Sequence, residues 1–261
     1  MKCNYHTHTY RCQHAVGKDE DYVRAALDAG FDTLGFADHA PWPYSSGYVS
    51  NIRMPMSELP GYVASLRALR EKYQGQLDIH IGLESEYFPR YKDHLHRLLD
   101  SGNVEYLILG AHYTDSDECT PYAPPLCTTA DGVKRYVDNC VAAMETGLFR
   151  YIAHPDLYLY PRADAQFDAV CQDAARDICL TAKAHNMPIE YNLQGLSCEL
   201  KGESRGYPSH AFWEYVKPYA GDVIIGVDAH DPAHLTNTVT WNEAEKRLHA
   251  MGYTPLESLT L

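Results

Sequence analysis

The feature that most constrains the fold is an alternation of short apolar runs with amphipathic stretches of helical period along the whole chain. The apolar runs predict seven strands, at 3–5, 32–37, 77–84, 105–111, 150–153, 187–192 and 222–227. The clearest helical stretches are 19–30, 56–73, 131–147 and 167–186, and several end in Gly or Asn, as helix C-termini do. Strands that alternate with helices favour parallel βα units in one sheet.

Residue types that bind metals follow six of the seven predicted strands. They are His6 and His8, Asp38 and His39, Glu84 with Glu86 behind it, His112, His154 and Asp156, and Asp228 and His230. The sixth strand ends in Asn192 without an obvious ligand. In a βα barrel the C-terminal strand ends meet at one face, whereas an open sheet would spread them along an edge. We therefore predict a single α/β barrel domain over residues 1–261.

Local spacing supports a shared site. His6 and His8 are two residues apart, as are Asp228 and His230, and such pairs project to the same side of a strand. His14 lies in the loop after the first strand and can fold back over the same mouth. A single His or Asp at a strand end is more often a helix cap or a solvated loop residue. Chance does not readily explain ligand-type residues at six of seven strand ends.

Seven imidazoles and two carboxylates are more than one zinc ion needs, since a catalytic zinc takes about three protein ligands. Nine ligands suit two or three divalent ions. Nitrogen and oxygen ligands without thiolate favour Zn, Mn or Fe over Mg or Ca.

Composition narrows the class of partner. The chain has 35 acidic and 22 basic residues, a formal charge of −13, which disfavours binding to nucleic acid. No apolar run reaches the ~18 residues of a membrane span, and no secretory signal is evident. The eight cysteines form no C-x-x-C pair, so we expect reduced thiols and a cytoplasmic location. A cluster of divalent ions would still let this acidic protein bind a phosphate; the oligomeric state stays open.

Seven motifs in order over residues 6–230 resemble the polymerase and histidinol phosphatase (PHP) family: "HTHT", "RCQHA", "FADHA", "GLESEYFP", "GAHYTD", "AHPD" and "GVDAH". "RCQHA" at 11–15, "NIRMPMSEL" at 51–59 and "GLESEYFP" at 82–89 are most similar to its monofunctional histidinol-phosphate phosphatase branch. The resemblance implies a distorted (βα)7 TIM-like barrel with three divalent ions. The ligand sets that it implies are His6, His8, Glu84 and Asp228; Glu84, His112 and His154; and His14, His39 and His230.

The same resemblance implies a phosphomonoesterase acting on a small phosphorylated substrate, with L-histidinol phosphate as the favoured choice. A hydroxide between two ions would attack phosphorus, because bound divalent metals lower the pKa of water toward neutrality. Glu84, Asp228 and His230 are the predicted catalytic residues. Two alternatives remain: the same chemistry on a nucleotide phosphoester or phosphotyrosine, and a non-catalytic metal-binding module.

One departure concerns the substrate. The family branch often reads like "EINTSGLR" after the sixth strand, where this chain has "EYNLQGLSCELK", so Lys201 or Arg205 must replace the missing basic residue. We predict Arg162 and Arg205 as phosphate-binding residues, because guanidinium matches phosphate bidentately. Arg53, in the long loop 41–55, is a third candidate above the mouth. A substrate ammonium would need a carboxylate, and Glu86, Asp115 and Asp156 are equal candidates for that role.

Overall fold

The computed structural model describes residues 1–162 and 167–261. In this part of the chain, parallel strands form one seven-stranded sheet whose order follows the chain. The strands are β1 (Cys3–Asn4), β2 (Thr33–His39), β3 (Asp78–Ser85), β4 (Tyr106–Leu109), β5 (Tyr151–Ile152), β6 (Ile189–Asn192) and β7 (Val223–Gly226). Each of the seven predicted runs overlaps one of them; β2 and β3 extend two residues and one residue beyond the predicted ends.

The first and last strands approach each other and nearly close the sheet. Thr7 and Ala229 form a parallel bridge beyond the ends of β1 and β7. The His8 N–H donates to the Ala229 carbonyl at 2.9 Å, and the Ala229 N–H donates to the His6 carbonyl at 3.2 Å. Asn4 Oδ1 accepts the Val227 N–H at 2.8 Å, so a side chain extends the pairing. The predicted distorted (βα)7 barrel is confirmed.

Helices connect the strands around the outside of the barrel. They are α1 (Asp19–Asp28), α2 (Leu59–Lys72), α3 (Lys92–Asp100), α4 (Ala130–Met144), α5 (Ala169–Ala184), α6 (Leu193–Leu200), α7 (His210–Val216), α8 (Pro232–Leu235) and α9 (Thr238–Ala250). The four predicted helical stretches correspond to α1, α2, α4 and α5. Thr129 begins α4 by accepting the Gly132 N–H, as its N-cap position requires. Among the described residues, no helix has the length and apolar character of a membrane span.

Aromatic side chains fill the barrel at the N-terminal ends of the strands. The Tyr106 hydroxyl donates to the carbonyls of Tyr5 at 2.8 Å and Phe36 at 2.9 Å. Gly82 makes room for this ring, since a Cβ there would lie 2.3 Å from it. Leu259 packs against the same cluster, so the C-terminal segment covers this end and the opposite end carries the mouth.

Candidate metal centre

All nine predicted ligands converge at the C-terminal ends of the strands. Eight of them line one cavity of about 380 Å³, and the ninth, His6, is fully buried beside them. The eight are His8, His14, His39, Glu84, His112, His154, Asp228 and His230. The barrel therefore brings together residues up to 224 positions apart (6 to 230).

The first group of ligand atoms comes from β3 and from the segments that directly follow β1 and β7. The Nε2 atoms of His6 and His8 are 3.1 Å apart. Asp228 Oδ1 lies 3.4 and 3.3 Å from these two nitrogens, and Glu84 Oε2 lies 3.5 and 3.4 Å from them. Ligands at zinc distances in a tetrahedral site are separated by about 3.4 Å. The donor set and its spacing therefore fit a divalent cation.

The second group uses the other oxygen of the same carboxylate. Glu84 Oε1 lies 3.0 Å from His154 Nε2 and 3.4 Å from His112 Nε2. Gly110 permits this arrangement, because a Cβ there would lie 2.3 Å from Glu84 Oε1 and 2.6 Å from His112 Cε1. Glu84 thus stands between two sets of imidazoles, as a bridging ligand must.

The third group lies nearest the solvent. His14 Nε2 and His230 Nε2 are 3.0 Å apart, and the rings of His14 and His39 stack with centroids 5.5 Å apart. His39 Nδ1 is buried without a hydrogen-bond partner, although it lies 3.2 Å from Glu84 Oε2. Candidate ion-binding groups also join His8 with His39 and His230. The nine ligands therefore lie close together, but their distances do not assign each ligand to a particular ion.

Buried carboxylates contact the rear nitrogens of two ligands. Glu190 Oε1 lies 2.8 Å from His6 Nδ1, and Glu86 Oε1 lies 3.3 Å from His112 Nδ1. Such partners orient ligating imidazoles and increase their basicity. Sequence analysis did not single out Glu190, although an acidic residue inside the apolar run "MPIEYN" was a usable signal.

In the metal-free site, the carboxylates and His230 have charge states that suit cation binding, whereas His6 and His8 must lose a proton when an ion binds. Burial would lower the pKa of these two imidazoles, but Glu190 beside His6 and Asp228 beside His8 raise it well above its ordinary value. Burial alone would raise the pKa of Glu84, but the imidazoles of His112 and His6 bring that pKa well below its ordinary value. His6 and His8 likewise outweigh burial and hold the pKa of Asp228 well below its usual range. Burial, followed by the charge of His8, lowers the pKa of His230 to about 3. Anionic carboxylates and a neutral imidazole are the forms that bind metals.

Two ligands have unusual backbone conformations. His154 has φ 30° and Asp228 has φ 52°. Residues with side chains populate this left-handed region rarely, and such strain tends to occur at functional sites.

The three predicted substrate arginines have different positions. Arg205 is the one arginine or lysine among the described residues that line the cavity. Arg162 lies outside the described lining and donates to the Cys127 carbonyl at 2.9 Å and to Asp168 at 3.1 Å. Its position therefore gives no support to a substrate role.

The position of Arg53 gives no support to a substrate role. Its side chain is 1% exposed, donates to both oxygens of Glu86 at 3.1 Å and lies outside the described lining of the cavity. Burial would raise the pKa of Glu86, but Arg53 lowers it to about 2. This pairing also makes Glu86 unavailable to a substrate ammonium.

The loop of Arg53 is fastened to the loop after β4. Asp117 accepts hydrogen bonds from Ser50 Oγ at 2.6 Å, from Arg53 Nε at 3.3 Å and from the Tyr44 hydroxyl. Within 41–55, Ile52 reaches the cavity lining. Tyr44, Ser50 and Arg53 therefore tie this loop to the loop after β4.

Comparison with known proteins identifies the family of this chain. The family model of the PHP domain matches residues 4–194. The chain belongs to the PHP family. It is 29% identical over 237 residues to a probable histidinol-phosphatase of Deinococcus radiodurans, covering 89% of this chain and 88% of that protein. It is 24% identical to a probable histidinol-phosphatase of Schizosaccharomyces pombe, covering 98% of this chain and 89% of that one.

A solved PHP-family structure has the same fold. The histidinol phosphate phosphatase of Lactococcus lactis, in a complex with zinc, L-histidinol and phosphate, superimposes with a TM-score of 0.76 at 17% identity. The match covers 100% of this chain and 99% of that one. At this level of identity the likeness shows a shared barrel.

Proposed function

We propose that this PHP-family chain is a metal-dependent phosphomonoesterase that hydrolyses L-histidinol phosphate to L-histidinol and phosphate. The observation that carries the proposal is Glu84, whose two oxygens face two separate sets of imidazoles inside one cavity. A pair of neighbouring ions is the arrangement that phosphoester hydrolases use. The names of the relatives, and the zinc, histidinol and phosphate of the Lactococcus lactis complex, support this substrate.

We assign three divalent ions, Zn, Mn or Fe, to the ligand sets that the PHP resemblance implies. His6, His8, Glu84 and Asp228 would hold one ion, Glu84, His112 and His154 the second, and His14, His39 and His230 the third. When bound, such ions act as Lewis acids that activate water near neutral pH and neutralise charge on phosphoryl oxygens. We assign catalysis to Glu84, Asp228 and His230.

Other residues of the cavity would bind and orient the substrate. Arg205 would donate to phosphoryl oxygens, since it lines the cavity. The Asp228 carbonyl, 3.1 Å from His230 Nδ1, would accept the proton of that nitrogen and leave His230 Nε2 free as a ligand. Four tyrosines form much of the remaining wall and would limit the access of water to the reacting phosphate: Tyr113, Tyr122, Tyr160 and Tyr207. The eight free cysteines are consistent with a cytoplasmic location, which we also propose.

Turnover of a substrate panel by the manganese- or zinc-loaded protein tests this function. We expect kcat/KM for L-histidinol phosphate to exceed that for AMP and phosphotyrosine by about 100-fold, or roughly 2.7 kcal/mol. Elemental analysis of the same sample should give three ions per chain. Comparable rates on phosphotyrosine would overturn the substrate, and bound ions without turnover of any phosphoester would favour a non-catalytic module.

Arg205 provides a test of the substrate site. Arg205→Met should raise KM for L-histidinol phosphate about 10-fold or more, because a charge-assisted contact to phosphate is lost. Arg162→Met is the matched control, since that guanidinium lies outside the described lining of the cavity. If Arg162→Met raised KM more than Arg205→Met did, Arg162 rather than Arg205 would be the residue that binds the phosphate.

A further inference from the structure

Glu190 lies inside the barrel on β6, between the two sets of ligands that face Glu84. Its side chain is fully buried, and among the described residues no lysine or arginine forms a salt bridge with it. Burying a carboxylate is costly unless hydrogen bonds compensate for the lost water. The groups that stabilise Glu190 must therefore be its hydrogen-bond donors.

Those donors belong to the metal centre. Glu190 Oε1 lies 2.8 Å from His6 Nδ1, and a proton on Nδ1 leaves His6 Nε2 free as a ligand. Glu190 Oε2 accepts the backbone N–H of His154 at 2.9 Å. One carboxylate therefore contacts a ligand of the first group through its side chain and a ligand of the second group through its backbone.

A third contact extends the network to a third ligand. Asn192 Nδ2 lies 3.2 Å from Glu190 Oε2 and 3.1 Å from Asp228 Oδ2. The two ligands with left-handed backbone, His154 and Asp228, are thus both connected to Glu190. These hydrogen bonds help to stabilise His154 and Asp228 in the left-handed backbone conformation, which residues with side chains rarely adopt.

The neighbouring strand leaves space for this carboxylate. A Cβ on Gly226 of β7 would lie 1.6 Å from Glu190 Oε1. Any side chain at position 226 would therefore push Glu190 away from His6.

We propose that Glu190 is a positioning residue that sets the placement of both ion sites that share Glu84. This inference rests on the proposed function in so far as those sites hold divalent ions. Glu86 differs, since it contacts one ligand, His112, of one site. Loss of Glu190 should therefore weaken two sites, and loss of Glu86 one.

The test is titration of metal-free protein with Mn²⁺, with free Mn²⁺ followed by its electron paramagnetic resonance signal. Glu190→Gln keeps the size of the side chain, but its NH₂ must face either the His6 donor or the His154 and Asn192 donors. We expect the dissociation constants of two ions to rise about 10- to 100-fold. Glu86→Gln, the matched control, should change one. Circular dichroism of each metal-free variant shows whether the fold is kept.

Binding by Glu190→Gln equal to wild type, or loss of the same single site as in Glu86→Gln, would overturn the proposal. Gly226→Ala is the second variant should Glu190→Gln not fold, because it keeps the carboxylate and displaces it. It should weaken the site that contains His6, and unchanged Mn²⁺ binding would contradict the inference. A wild-type chain that binds Mn²⁺ but hydrolyses no phosphoester would contradict the proposed function alone, since the readout here is metal binding.

Discussion

The same strands form both ends of the barrel, but the buried polar groups at the two ends have different partners. At the N-terminal end, the Tyr106 hydroxyl donates to two main-chain carbonyls, and its ring packs with Tyr5 in an apolar cluster. At the mouth, imidazole nitrogens face one another and the oxygens of Glu84 at 3.0 to 3.5 Å. The first arrangement is complete without a ligand, whereas the second becomes favourable when cations bind.

Because of this difference, the residues of a strand that stabilise the fold are not the ones that support activity. Residues at the closed end should determine the free energy of unfolding, and residues at the mouth should determine metal binding and turnover. Barrel enzymes in general place their active sites at the C-terminal face of the strands. Substitutions at each end test this division.

The largest effect should follow Glu84→Gln. The amide cannot supply two anionic oxygens, so both ligand groups lose a charge that they share. We expect turnover of L-histidinol phosphate to fall at least about 1,000-fold, or roughly 4 kcal/mol, while the metal-free protein stays folded. Turnover with saturating Mn²⁺ and thermal melting measure the two quantities. Activity within tenfold of wild type would show that Glu84 is not a bridging ligand.

Tyr106→Ala tests the closed end. Removal of this buried ring should lower the free energy of unfolding by about 3–5 kcal/mol, as other large-to-small core substitutions do. Turnover by the folded, metal-loaded protein should stay within a few-fold of wild type. Urea unfolding followed by fluorescence measures the first effect, and Tyr106→Phe, which removes the hydroxyl alone, should cost about 1–3 kcal/mol. A large loss of turnover in either variant would mean that the two ends are coupled.

Much of this division could be predicted from the sequence. The alternation of apolar and helical segments gave all seven strands, and ligand-type residues at strand ends indicated the barrel mouth, because parallel strands direct their C-terminal ends to one face. His14 was predicted from a loop position, and it lies 3.0 Å from His230 across the mouth. These features depend on local periodicity and on the topology that it implies.

Contacts that depend on packing could not be predicted in this way. Arg53 pairs with Glu86, 33 residues away, because two loops fold over the same strand end, and no local pattern encodes that choice. A long loop over a mouth suggested a substrate contact for Arg53, whereas the structure uses its charge to balance a buried carboxylate. Glu190 could not be predicted from residues at strand ends, because it lies within its strand, which ends in Asn192.

Arg53→Met should lower both the free energy of unfolding and turnover. It leaves Glu86 buried without its partner, which should cost about 3 kcal/mol of stability. It also loosens the carboxylate behind His112, so turnover should fall about 10-fold or more. The double variant Arg53→Met with Glu86→Leu should recover part of the stability without recovering turnover, because apolar replacement of a buried ion pair is often neutral, while Asp117 still loses its contact with Arg53. Recovery of both would indicate that Glu86 does not orient His112.

The smallest expected effect concerns His80, a half-buried histidine near the N-terminal end of β3, on the same side of the strand as Gly82 and close to Tyr5. Burial would lower the pKa of His80, but Glu105 and Asp78, each 3.0 Å from its ring, raise it above 6.5. A raised folded pKa means that the stabilisation is complete below pH 6.5 and is lost as pH rises through the folded value. His80→Asn should therefore cost about 0.5–1 kcal/mol at pH 6 and less at pH 9, with turnover unchanged. If urea unfolding shows the same cost at both pH values, the ring stabilises the protein by packing against Tyr5, whose centroid lies 5.9 Å away, rather than by its charge.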